Sequence, residues 1–92
     1  MEIVVRLPKR HVKKILPKGE EKPWETALEL FRRTVIAFVP SLRGYTLTAE
    51  TTWGGFAIYA YLPSPTGPAR TQVGNVLYTN KFVHIRVTRL NP

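Results

Sequence analysis

The chain has 92 residues and contains no cysteine and no aspartate. Without cysteine there is neither a disulfide framework nor a thiolate metal site. All six acids are glutamate, and none follows Glu50. Amides are scarce too: Gln72, Asn75, Asn80 and Asn91 are the full set, beside eight prolines. Few thermolabile amides and many prolines fit a thermophile. No apolar run approaches the roughly 18 residues that a membrane helix needs. Met1–Arg6 lacks the basic region, apolar stretch and small-residue site of a signal peptide. These absences point to a cytoplasmic protein that does not enter a membrane.

The residues that perform catalysis are equally thin. An enzyme needs positioned acids, bases or a nucleophile. Here the two histidines, His11 and His84, lie far apart in the chain. Ser41 and Ser64 each neighbour proline and have no nucleophile-elbow context. Carboxylates and histidines do not cluster at metal-ligand spacing. Gly54-Gly55 reads as a turn and not a phosphate loop, because no helix follows it. Glu50 is expected opposite Tyr59, as a cross-strand hydrogen-bond partner. No catalytic residue, metal or cofactor is expected.

Positive charge is abundant. Fourteen Lys and Arg oppose the six glutamates, for a net charge of +8. Arg70, Lys81, Arg86 and Arg89 lie in the acid-free stretch that begins at Thr51. A field of this sign draws in polyanions. Nucleic acid, anionic lipid and acidic proteins all qualify, and the basic footprint favours nucleic acid.

The pattern along the chain is that of one α+β domain over residues 1–92. Ile3, Val5 and Leu7 alternate with polar positions as a half-buried strand that ends at Pro8. Lys9 to Lys22 reads as a basic loop, broken at Pro17 and Gly19, with one helical turn around Arg10–Leu16. A helix then starts near Pro23, where a missing N–H costs nothing. Trp24, Leu28, Phe31, Val35 and Phe38 recur at helical spacing with Ala27 beside them. Glu29 and Arg33 pair at i,i+4, and Pro40 ends the helix. Tyr45–Trp53 and Phe56–Leu62 flank a Gly54-Gly55 hairpin turn. Pro63–Pro68 forms an irregular, exposed loop. Val73–Thr79 and Phe82–Leu90 flank a second hairpin at Asn80-Lys81. The order β-α-β-β-β-β predicts a single antiparallel sheet of four or five strands, with the amphipathic helix packed on one face.

Side chains alternate across strands, so the hairpins sort their residues into two faces. A Gly54-Gly55 turn pairs Trp53 with Phe56, Thr51 with Ile58, Ala49 with Ala60 and Leu47 with Leu62, and that set faces the helix. Val76, Tyr78, Val83, Ile85 and Val87 join it. The opposite face carries Tyr59, Tyr61, Phe82, His84 and Arg86, with Arg6 from the first strand.

Aromatic rings set among cations suit single-stranded nucleic acid. Each ring offers a stacking surface worth about 1–3 kcal/mol per base, and cations neutralise phosphates. No helix-turn-helix or basic zipper is present to read a duplex. Lys9, Arg10, Lys13, Lys14 and Lys18 of the basic loop supply a phosphate-tracking arm, since a long loop in a compact domain usually has work to do. A basic membrane helix is disfavoured by the glutamates and by the breaks at Pro17 and Gly19.

The segment Gly55-Phe56-Ala57-Ile58-Tyr59-Ala60-Tyr61 resembles the aromatic strand motif of RNA-recognition motif domains. Ile58 stands where that motif has its central aromatic, no basic residue precedes the glycine, and Pro63–Pro68 leaves no room for that fold's second helix. Membership is not inferred.

The sequence therefore reads as a non-enzymatic binder of single-stranded DNA or RNA. Two alternatives stand beside it. One is an assembly subunit of a nucleoprotein, capsid-like or ribonucleoprotein kind, whose sheet face joins copies into a dimer or higher oligomer. The other is a small basic ribonuclease toxin working through Tyr59, Tyr61, His84 and Arg86.

Overall fold

The computed structural model describes residues 3–15, 23–35, 39, 42 and 44–88, and in these the alternating segments become five strands of one open sheet. They are β1 (Ile3–Pro8), β2 (Leu47–Thr52), β3 (Gly55–Leu62), β4 (Ala69–Tyr78) and β5 (Phe82–Val87). All pairings are antiparallel, in the spatial order β1-β5-β4-β3-β2. Two helices, α1 (Lys9–Ile15) and α2 (Pro23–Val35), lie between β1 and β2 in sequence. The expected α+β order therefore holds, with α2 on one face of the sheet.

α2 follows the polarity its sequence sets. Glu25 lies in the first turn and Arg32 and Arg33 in the last, each stabilising against the helix dipole. Arg33 Nε donates to Glu29 Oε2 at 2.7 Å, as the i,i+4 spacing predicts. The buried stripe is Ala27, Leu30, Phe31 and Val35. It turns toward Leu30, leaving Leu28 partly buried on its flank and Trp24 45% exposed in the first turn. Phe38 and Pro40, expected at the helix end, lie outside the described residues.

The expectation of a basic loop over Lys9–Lys22 is corrected in its first half. Lys9–Ile15 is a helix of two turns and not one turn inside a loop. The cause is tertiary: a short helix is marginal alone, and Val12 anchors this one in the cluster that holds Leu30 and Phe31. Residues 16–22, with Lys18 and Lys22, lie outside the described residues.

The first hairpin turns one residue earlier than expected. Thr52 pairs with Gly55, Thr51 with Phe56, Ala49 with Ile58 and Leu47 with Ala60. Trp53 and Gly54 thus occupy the turn, with Gly54 supplying the positive φ of 84° that its second central position requires. Gly55 is held in the strand for a different reason. A Cβ there would collide with the Val76 carbonyl of β4, so close backbone approach reserves Gly55 for pairing. The shift moves each β3 partner by two residues, which keeps the faces as predicted. Only Trp53 changes place, from the helix-facing set to the turn, where it is 96% exposed.

β3 ends at Leu62 and β4 begins at Ala69, so Pro63–Pro68 is the expected connection. Ser64 to Gly67 closes a turn there, with Gly67 N–H donating to the Ser64 carbonyl at 3.0 Å. β4 starts four residues before the expected Val73. It carries a bulge: Ile58 pairs with Gly74 but Tyr59 pairs with Gln72, leaving Val73 as the extra residue. Val73 and Gly74 are both buried there. Tyr78 pairs with Val83 and Val76 with Ile85, placing the second hairpin's buried set as predicted.

At Gly74 the sheet has no side chain, and the Phe31 ring fills the space: an added Cβ would strike both that ring and the Arg86 carbonyl. Overpacking of this kind costs about 1–3 kcal/mol. Gly74→Ala is therefore expected to lower stability by at least that range in urea denaturation. A wild-type midpoint would refute the seating of Phe31 on Gly74.

Tyr78 lies against the same core, and burial raises its phenol above the ordinary 10.0. The neutral phenol's contribution to stability is intact below 10.0. It is lost as pH rises past 10.0 through the higher value held in the fold. Tyr78→Phe is expected to show a shallower loss of stability than wild type above pH 10, with matching curves at neutral pH apart from a constant offset.

Candidate nucleic-acid interface

The face away from α2 is built row by row by the strand register. One row is Arg6, His84, Leu77, Gly55 and Thr52, reading from β1 to β2. The next is Val4, Arg86, Asn75, Ala57 and Glu50. Beyond the bulge come Gln72, Tyr59 and Thr48, and then Arg70 opposite Tyr61. Pro8 and Phe82 pair at the opposite end.

The expected residues do share this face, but in two groups. Phe82, His84, Arg86 and Arg6 occupy the β5–β1 side. Tyr59 and Tyr61 sit on β3, at the other end of the sheet. Tyr59 stands two strands across and four residues along from His84, roughly 16 Å by strand geometry. His84 and Tyr59 thus belong to different groups on the face.

Each group contains an arginine laid over a ring. The Arg70 guanidinium carbon lies 3.6 Å from the centroid of Tyr59, and that of Arg6 lies 4.8 Å from the centroid of Phe82. Arg70 also reaches Glu50 on the edge strand at 3.5 Å. Glu50 pairs with Ala57 and not with Tyr59, a consequence of the earlier turn, and its partner is an ion and not the phenol. Both ends of that ion pair are well exposed, so it contributes less than about 1 kcal/mol. The cation over the ring adds about 0.5–1 kcal/mol. Tyr59 is half-buried beneath this cover, whereas Tyr61 is 54% exposed.

Arg70 was not among the expected site residues, because β4 was expected to begin after it. The signal available in the sequence was its even spacing from Gln72, which a strand starting at Ala69 turns toward Tyr59.

At the β1–α1 end, Pro8, Lys9, Arg10, Lys81 and Phe82 line an open cleft of about 400 Å³. Its walls are fastened. Lys9 N–H donates to the Lys81 carbonyl at 3.0 Å, and Thr79 N–H donates to the Phe82 carbonyl at 2.9 Å. Phe82 N–H in turn donates to the Thr79 hydroxyl at 3.3 Å. Lys14 stands exposed one turn beyond Arg10 on α1. Lys13 lies on the same helix, and Lys18 lies outside the described residues. Among the described residues no group of three His, Asp or Glu side chains is placed to hold a metal ion. No described helix is long and apolar enough to cross a membrane.

Asn75 completes the face. Its Oδ1 is buried and has no hydrogen-bond partner among the described residues. An unpaired buried acceptor costs about 1–3 kcal/mol. Comparison with protein-family models, curated proteins and solved structures finds no match for this chain.

The unpaired carbonyl of Asn75 lies in the row between the two aromatic groups, closed off from solvent. Asn75→Val is expected to raise the urea midpoint, by about 1 kcal/mol of stability. A lower midpoint would mean that the amide is satisfied in the fold and is structural.

Proposed function

We propose that the protein is a non-enzymatic, cytoplasmic nucleic-acid-binding protein that takes single-stranded DNA or RNA on the face of the sheet away from α2. The observation that carries this reading is the pairing of cations with rings on that one face. Arg70 over Tyr59 and Arg6 over Phe82 place a positive charge at each stacking surface, and the Lys9–Arg10–Lys81 cleft adjoins the second. Guanidinium planes stack on bases as rings do. The arginine covers are weak, about 0.5–1 kcal/mol, against about 1–3 kcal/mol for a base on an aromatic ring. A base therefore displaces or overlies the cover. Cations from α1 and the β4–β5 turn hold phosphates without reading sequence.

A second reading, self-assembly, is favoured by one feature. β1 and β2 are open edges of the sheet, and Val4 on β1 is 51% exposed. In that case the nucleic acid is coated by copies joined through edge strands.

Titration of labelled single-stranded DNA, RNA and duplex at two salt concentrations tests both readings. Single strands are expected to bind more tightly than duplex. With about four phosphates neutralised, log affinity falls with log salt at a slope near −3. Tyr61→Ala, at an exposed position, is expected to weaken binding by about tenfold or more. Absence of salt-dependent binding by the wild type would refute the nucleic-acid reading. Light scattering of the same samples separates the readings, because a monomer at high concentration with and without oligonucleotide excludes assembly.

A further inference from the structure

Trp53 is 96% exposed, the most exposed of the large apolar side chains in the described residues. Leaving an indole in water forgoes the burial that gives Trp its usual stabilising value. The turn that carries it is tied to the sheet: Gly54 accepts a hydrogen bond from Tyr78 N–H at 2.8 Å, joining the β2–β3 turn to the end of β4. Because β3 and β4 are antiparallel, the β2–β3 turn and the β4–β5 turn lie at the same end of the sheet. That end also holds Pro8, Lys9 and Arg10, through the bond from Lys9 N–H to the Lys81 carbonyl. One rim of the sheet thus carries a cationic cleft with an aromatic wall at one side and an exposed indole at the other.

We infer that this rim is a second part of the binding path: the cleft takes a nucleotide by its phosphate with the base against Phe82, and Trp53 stacks a base further along the same strand. The inference rests on the single-strand reading above and adds a residue and a direction to it. From β5 to the β2–β3 turn is between two and three strand spacings, about 10–14 Å. That distance spans about three to four nucleotides at the ~3.4 Å rise of a stacked strand, and fewer when the strand is stretched. The path therefore runs across the strands along the rim. The charge favours nucleic acid as occupant. Lys9, Arg10 and Lys81 stand at the cleft, and the net charge of the chain is +8. Trp53 adds a π-face that accepts any base, so the rim binds without choosing sequence.

The test uses the full chain with Trp24→Phe, which leaves Trp53 as the one indole. Oligomers of thymidylate and of uridylate, of one to ten nucleotides, are titrated while Trp53 fluorescence and affinity are followed. The expected result is quenching of Trp53 by oligomers of four or more nucleotides. Trp53→Ala is then about tenfold weaker for those oligomers, with unchanged affinity for the mononucleotide. Trp53→Phe restores most of the loss. The thymidylate and uridylate arms show whether DNA or RNA is preferred.

Unmoved fluorescence and wild-type affinity in Trp53→Ala overturn the rim path. If Lys9→Ala with Lys81→Ala still loses affinity in that case, the single-strand reading survives alone. If the wild type binds no oligomer, both fall. Vesicles of phosphatidylserine and phosphatidylcholine form the last arm. A blue shift of Trp53 on vesicles with none on oligomers overturns the proposal in favour of a membrane surface.

Discussion

The packing of Phe31 onto the bare backbone at Gly74 decides how the rest of the molecule is arranged. Both residues are buried, and the ring occupies the place a side chain on β4 would take. This lets a helix of 13 residues, about 20 Å long at 1.5 Å per residue, sit close enough to cover Ile58, Val76 and Ile85, all fully buried. Burying each such side chain contributes about 1.5–3 kcal/mol. With one helix layer, only one face of the sheet can be sealed this way. The other face must be built from residues that tolerate water. The bulge at Val73 belongs to the same arrangement, since it keeps Val73 and Gly74 both under the helix while turning Gln72 and Arg70 outward to Tyr59 and Tyr61.

The two faces were legible from alternation alone, even though the hairpin pairing was not. Moving the turn from Gly54-Gly55 to Trp53-Gly54 changes partners by two residues, and a period of two is blind to such a shift. What alternation cannot register is why one glycine turns and the next does not. Gly55 is kept in the strand by a carbonyl of β4, a neighbour distant in sequence. The same blindness hid the first half of β4. A bulge breaks strict alternation, so Ala69–Gln72 looked like the end of a loop and Arg70 was missed. The helical state of Lys9–Ile15 was obscured for a related reason, because its local sequence is polar and Val12 finds its partners only in the folded core. Of the expected residues, Tyr59, Tyr61, Phe82, His84 and Arg86 share the open face by register. Their division into two groups follows from strand order, which sequence order does not contain.

The open face is also where the structure accepts local cost. Asn75 keeps a buried carbonyl oxygen without a partner among the described residues, and at the rim the turn residue Trp53 keeps an indole in water. Arg6 and Arg70 are held over rings by interactions of about 0.5–1 kcal/mol each, where a stacked base is worth about 1–3 kcal/mol. On the helix face the apolar side chains, the Phe31 ring among them, are packed away, and no polar side chain is buried among the described core residues.

Strand order finally explains how two basic regions of the sequence act as one. The Lys9–Lys22 segment and the acid-free stretch after Glu50 are separated by α2 and by Glu25, Glu29 and Glu50. β1 pairs with β5, the last strand, and carries Lys9 and Arg10 to Lys81 and Phe82. Glu50 is left on β2, at the far edge of the same sheet. Charge is thus separated across the five strands, positive at the β1–β5 edge and its rim, with the one acid of the sheet region held to Arg70 at the other. Over a Debye length of about 8 Å at physiological salt, a polyanion at the rim feels the cleft cations and little of Glu50. Under the proposed reading, a polyanion approaching the sheet would be drawn to that edge first. A surface with the same residues mixed at random would offer neither an entry point nor a direction.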